Sequence, residues 1–322
     1  LFSAEQLARH ARALAANHRT VIRRETNSLL ASLDANERDL RAFNCAIRGT
    51  ESGHRLTPAA EWMLDNFYLI EEQIQMAKRH LPRGYSQELP RLLNGPSAGL
   101  PRVYDIVLEL IPHVDARIDA GPLAAFIDSY QSVDNLKLGE LWAIPIMLRL
   151  GLIENLQRIT HRLNLARVDR DLADLWVERL QEIADSNPSE LVIVVADMAK
   201  SGLSLSSAFV AQFCLRLSQH SPVLHLARTW LEQRLDELGQ SIELLVHMDS
   251  QNQAADQVSV SHSIGSLRFL SAMDWKEFVE TLSVVDITLR SDPADVYSDM
   301  DFATRDQYSH GNPWSSRSRA SS

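Results

Sequence analysis

Helix starts punctuate this chain so regularly that they leave little room for another kind of element. Ser3 and Gln6 form a capping box, in which the hydroxyl accepts from a free backbone N–H and the amide reaches back. Asp274 and Glu277 repeat it. Thr57-Pro58 puts a capping hydroxyl ahead of a proline that has no donor to waste. Gly121-Pro122, Asn187-Pro188, Ser221-Pro222 and Asp292-Pro293 use the same device. Apolar residues at helical spacing follow: Trp62, Leu64, Phe67 and Ile70, then Leu172, Leu175, Trp176 and Leu180, then Leu226, Trp230, Leu231 and Leu235. The run "ELVIVVADMA", Glu190 to Ala199, is β-branched, yet it follows a cap and has no partner strand, so it reads as a buried helix. The predicted fold is all-α, an irregular multi-helix bundle with one long Pro/Gly-rich loop and no sheet. Leading helices occupy 1–50, the main bundle 56–308, and a disordered or aberrant Ser/Arg-rich tail 309–322.

"LGELWAIPIMLRLGLIENL", Leu138 to Leu156, is the most apolar stretch. A membrane span needs about 20 mostly apolar residues. Glu140, Arg149 and Glu154 interrupt this one, and its longest uncharged part is Leu141 to Leu148. Leu141, Ile144, Leu148, Leu152 and Leu156 instead form a helical stripe, which predicts a core helix kinked or split at Pro145. No membrane span is expected. The opening "LFSAEQLARHARALAANHR" is charged throughout and reads as a helix rather than a secretory signal.

A net charge of −10 argues against general nucleic-acid binding. Cys45 and Cys214, far apart and in no CxxC, suggest a reducing compartment and no disulfide framework. Phosphate-loop, dinucleotide, zinc-protease and nucleophile-elbow motifs are missing. Two Asp-x-Asp triplets could grip a hard cation. Asp169-Arg-Asp171 is expected at a helix start, where acidic residues complement the dipole, and Asp299-Met-Asp301 follows no strand. His220 and His225 lack partners at ligand spacing. Ser261 to Gly265 offers hydroxyls and a turn, with no nearby acid for a triad. No catalytic residue and no metal ligand is assigned.

The helical rhythm breaks at "LPRGYSQELPRLLNGPSAGLPRVYD", Leu81 to Asp105. Long loops in compact domains are often functional. This one carries Arg83, Tyr85, Arg91, Arg102 and Tyr104, able to stack and to donate bidentate hydrogen bonds. They mark either a contact surface for substrate or another domain, or a connector packed over the bundle with these side chains at its edge.

Longer strings carry a resemblance. "LTPAAEWMLDNFYLIEEQI" (56–74), "LPRGYSQELPRL" (81–92), "PRVYDI" (101–106), the apolar stretch above, "QAADQVSVSHSIGSLRFLSAMDWKEFVETLS" (253–283) and "DPADVYSDMDFATRDQY" (292–308) resemble the amino-terminal region of cyclic β-1,2-glucan synthases. The resemblance implies a parent that is a large inner-membrane glucosyltransferase. It would polymerise glucose from UDP-glucose on the protein itself and release it as a ring. It also implies that this chain is the helical region ahead of the membrane and transferase portions, which would be its partners. The role implied is scaffolding or regulation at the cytoplasmic face of the bacterial inner membrane, without catalysis. UDP-glucose and a divalent metal would belong to the transferase domain, and no cofactor is expected in this region. The sequence departs from the family pattern at Asp299 and after Tyr308, where it turns to "SHGNPWSSRSRASS" as a truncated or frame-shifted reading would. The alternative is a free-standing helical protein-interaction module, soluble in the cytoplasm.

Overall fold

Side-chain caps mark the start of several helices. In the computed structural model, which describes residues 2–22, 28–49, 56–81, 89–218 and 224–283, helix α1 (Ala4–Asn17) starts at the Ser3 capping box. Ser3 Oγ accepts from the Gln6 amide at 3.3 Å, and Gln6 Oε1 accepts from the Ser3 amide at 2.8 Å. Helix α2 spans Ser28–Arg48. Thr57 caps α3 (Pro58–Asp65) through its hydroxyl, and α4 (Phe67–His80) follows. Then come α5 (Arg102–His113), α6 (Ala120–Gln131) and the 49-residue α7 (Leu138–Ser186). The "ELVIVVADMA" run is helical, entering through one 3-10 turn at Pro188–Glu190 into α8 (Leu191–Lys200). Helices α9 (Ser207–Ser218), α10 (His225–Glu237) and α11 (Ile242–Ala272) lead to α12 (Trp275–Leu282). Asp274 caps α12, accepting from the amides of Lys276 and Glu277.

Two expectations are corrected, and for Pro145 one of two alternatives falls away. A sheet does exist, though a minimal one: β1 (Thr20–Val21) pairs antiparallel with β2 (Arg91–Leu92), in register Thr20–Leu92 and Val21–Arg91. The pairing satisfies backbone groups where two connecting segments run side by side. Pro145 does not split α7, which continues through it. Leu141, Ile144, Leu148, Leu152 and Leu156 are all essentially buried, and that packing outweighs the roughly 3 kcal/mol that an interior proline costs. Asp169-Arg-Asp171 consequently lies deep inside α7 rather than at a helix start.

Contacts divide the chain into two units. The first comprises 1–34, 70–153 and 262–322. Within it α1 packs on α5 and α6, and α12 on α6, around Leu7, Ala11, Ile106, Leu110, Phe126 and Tyr130. Gly151 lets α5 lie close against α7, because a Cβ there would fall 2.6 Å from Ile111 Cδ1. The second unit comprises 35–69 and 154–261. Its main cluster joins Val177 and Leu180 of α7, Val194 and Met198 of α8, Phe209 and Phe213 of α9, and Leu231 and Leu235 of α10. The two phenylalanine rings, one turn apart, stack at 5.5 Å. No described helix is long and apolar enough to cross a membrane. The Asp292-Pro293 cap, Asp299-Met-Asp301 and the 309–322 tail lie outside the described residues, as do Ser221-Pro222 and His220.

Candidate functional site

The second half of the Leu81–Asp105 loop folds back on itself. Gly95 and Gly99 take φ of 82° and 86°, the left-handed conformation that glycine adopts without steric cost. The Gly99 amide donates to the Leu92 carbonyl at 2.8 Å, and the Leu92 amide to the Leu100 carbonyl at 2.9 Å. Asn94 ties the loop to the end of α1, its amide donating to the Asn17 carbonyl at 2.9 Å and its carbonyl accepting from the Arg19 amide at 3.1 Å.

This folding takes three of the nominated side chains inside. Arg91 is buried, and its Nη1 donates to the Gly99 carbonyl at 2.6 Å. Tyr104 is buried on the first turn of α5. Arg102, 4% exposed, donates from Nε and Nη2 to the two carboxylate oxygens of Glu140 at 2.6 and 2.8 Å. It also pairs with Asp134 and donates to the Asn135 carbonyl at 2.8 Å. Glu140 itself is 1% exposed, and it accepts from the Lys137 amide at the start of α7. Burial works against the Arg102 cation, but Glu140 more than offsets it and raises the guanidinium pKa further. Arg83 and Tyr85 lie outside the described residues.

A second chain of polar groups lies in the same unit. His18, just after α1, contacts Asp105 Oδ2 through Nε2 at 3.0 Å and the Tyr130 hydroxyl through Nδ1 at 2.8 Å. Burial pushes the Tyr130 hydroxyl pKa up, with Arg102 opposing, so the phenol keeps its proton. Both ring nitrogens of His18 thus have a hydrogen-bond partner, Tyr130 at Nδ1 and Asp105 at Nε2. Burial favours a neutral Asp105, but hydrogen bonds from His18 and Ser97 prevail and hold its carboxyl below the usual range. Acid, imidazole and hydroxyl are linked as in a general-base relay, yet His18 and Asp105 side chains are only 6% and 12% exposed and Tyr130 is fully buried. The arrangement fastens α1, α5 and α6 from inside. No local spacing reveals it, because His18, Asp105 and Tyr130 come from separate segments.

Arg149, another charge in the apolar stretch, is also buried. It donates to Gln73 Oε1 at 3.1 Å and to the carbonyls of Pro145 and Leu270 at 3.4 and 3.3 Å. Among the described residues no carboxylate pairs with it, and burial lowers its pKa.

The second unit holds a polar cleft of about 320 Å³. Two ion pairs line it: Arg162 with Asp256 at 2.5 Å, and Arg170 with Asp249 at 2.9 Å. Thr57, Ser207, Asn252 and Gln253 add neutral polar groups, and Leu163 and three alanines form its apolar part. Asp169 does not converge with Asp171: it accepts from Ser206 Oγ at 2.6 Å, supporting the hydroxyl that caps α9, whereas Asp171 pairs with Arg167. Ser261 to Gly265 is interior helix in α11, not a turn. Burial pushes the Cys214 thiol up to about 11, and Cys45 and Cys214 are both unbridged.

Fold and sites together define a helical region whose buried charges are bound mainly to one another. No family model matches the chain. It is similar to the cyclic beta-(1,2)-glucan synthase NdvB of Rhizobium meliloti (strain 1021), with 31% identity over 274 residues. That span is 85% of this chain and 9% of the relative's length. The resemblance to the cyclic β-1,2-glucan synthases thus extends over most of the chain and is that of one portion of a much longer protein.

Proposed function

We propose that this chain is the amino-terminal helical region of a cyclic β-1,2-glucan synthase, and that it scaffolds or regulates glucosyl transfer carried out by the remainder of the polypeptide. In this reading the transferase portion uses UDP-glucose and a divalent metal at the cytoplasmic face of the inner membrane, and the helical region docks on it. The similarity to the Rhizobium meliloti synthase supports the parent activity. The observation that carries the docking role is where apolar side chains stay in water. Among the described residues, Leu165, Leu175, Val192, Ile193, Leu215 and Leu238, each more than half exposed, belong to the second unit, while the first has Ile22 and Leu93. Apolar exposure concentrated on one unit is a mark of a covered surface. Arg83 and Tyr85 are the contact candidates from the Pro/Gly-rich loop.

The test uses the full-length synthase. Val192→Glu with Ile193→Glu should reduce glucan yield and the recovery of assembled enzyme, with the isolated chain still helical by circular dichroism. Arg83→Ala with Tyr85→Ala should lower yield in the same assay. Unchanged yield in both double variants would remove the docking role and leave the free-standing interaction module. The isolated chain should not turn over UDP-glucose, and measurable turnover would make it an enzyme in its own right.

A further inference from the structure

We propose that His10, Glu109 and His113 form a binding site for a zinc-class divalent cation that fastens α1 to α5. The sequence assigned no metal ligand, because only Glu109 and His113 are near neighbours, one turn apart on α5, while His10 comes from α1, 99 residues before Glu109. The fold brings them together, and one ligand atom from each lies within 4.8 Å of the other two. His10 Nε2 and Glu109 Oε2 are already 3.0 Å apart. A tetrahedral ion with bonds near 2.0–2.2 Å needs ligand atoms about 3.3 Å apart, so that edge is near the required length, and the remaining edges, within 4.8 Å, shorten to it by side-chain adjustment on binding. Two imidazoles and one carboxylate are the donors that suit zinc, and three protein ligands leave a fourth position for water. All three residues are half-buried, open to solvent on one side.

Aromatic contacts hold both imidazoles in place. Phe2 stacks on His113 at 3.9 Å and 13°, and its amide donates to the His113 carbonyl at 3.1 Å. The His10 ring meets His113 edge-on at 4.6 Å. The backbone just past His113 is also fixed. Asp115 and Ala116 take φ of 51° and 58°, a region L-residues rarely adopt. They are held there by α11: His262 Nδ1 donates to the Asp115 carbonyl at 3.0 Å, and Ser266 Oγ donates to the Ala116 carbonyl at 2.7 Å while accepting from the Ile118 amide at 2.8 Å. Strained backbone over-determined by its neighbours commonly accompanies a preorganised site.

The probe is zinc alone, with the full 322-residue chain stripped by chelator. One equivalent should bind at micromolar or lower concentration and raise the thermal midpoint. His113→Ala and Glu109→Gln should each weaken binding at least tenfold, whereas His225→Gln and His247→Gln should leave it unchanged. Zinc X-ray absorption of the wild-type chain should show two imidazole nitrogens at about 2.0–2.1 Å. That spectrum decides the matter even if a variant misfolds. No retained zinc, an oxygen-only shell, or equal losses in the distal histidine variants would overturn the site.

Discussion

Arg102 sits at the centre of the first unit's electrostatics. Its guanidinium meets Glu140 through two parallel hydrogen bonds inside the protein, so Arg102→Ala would leave a buried carboxylate without its cation. Breaking a buried pair from one side costs roughly 3–5 kcal/mol, to be read as a lowered urea midpoint. Arg102→Lys should recover less than half of that, since an ammonium cannot make the two-pronged contact. Asp105 supplies a pH signature. Its folded pKa is depressed, so its contribution to stability is complete above the unfolded value of about 3.9 and disappears as pH falls through the lower folded value. Urea midpoints of wild type and Asp105→Asn should therefore differ at pH 6 and converge toward pH 2. Nothing in the local sequence distinguished Arg102 as an internal residue from a surface one, because its partners Asp134 and Glu140 lie on other segments. Only Glu140 gave a hint, as a charge inside an apolar stripe.

Helices were legible where the signal was local. The caps at Ser3, Thr57 and Asp274 each engage the amides that the spacing implies, since capping depends on residues within one turn. Helix α7 shows the opposite case. Proline chemistry argued for a kink or a split at Pro145, and packing along the stripe keeps the helix continuous there; the acidic triplet argued for a start near Asp169, yet α7 runs through it. The β1–β2 ribbon was invisible because two-residue strands carry no periodicity. The close approach of α5 and α7 is equally non-local. Gly151→Leu should destabilise by roughly 2–3 kcal/mol, because its side chain would displace Ile111 and Val107 from a filled contact. A thermal scan of the variant checks this, and Gly121→Leu, at a position with open space, is the control.

Taken whole, the chain is acidic, with a net charge of −10, and many of its arginines are engaged by carboxylates. It should show no retention on duplex DNA at about 0.15 M salt, where surface attraction is already screened beyond about 8 Å; a filter-binding assay settles the point. The segments of the first unit are far apart in sequence, and their contacts make its completion depend on the distal one. Ser266 binds the Ala116 and Ile118 backbone, and Gln131 donates to the Leu282 carbonyl at 2.9 Å. A polypeptide ending at Ile153 should therefore lack the cooperative melting transition expected of the full chain, as a circular-dichroism thermal scan of both would show.

The left-handed turn at Asp115 and Ala116 gives that dependence a temporal meaning. On the ribosome, the bend following α5 emerges long before the α11 side chains that secure it. Until His262 and Ser266 are synthesised, that bend lacks the side chains that hydrogen-bond to it, so a turn made early is secured by residues added 147 and 150 positions later.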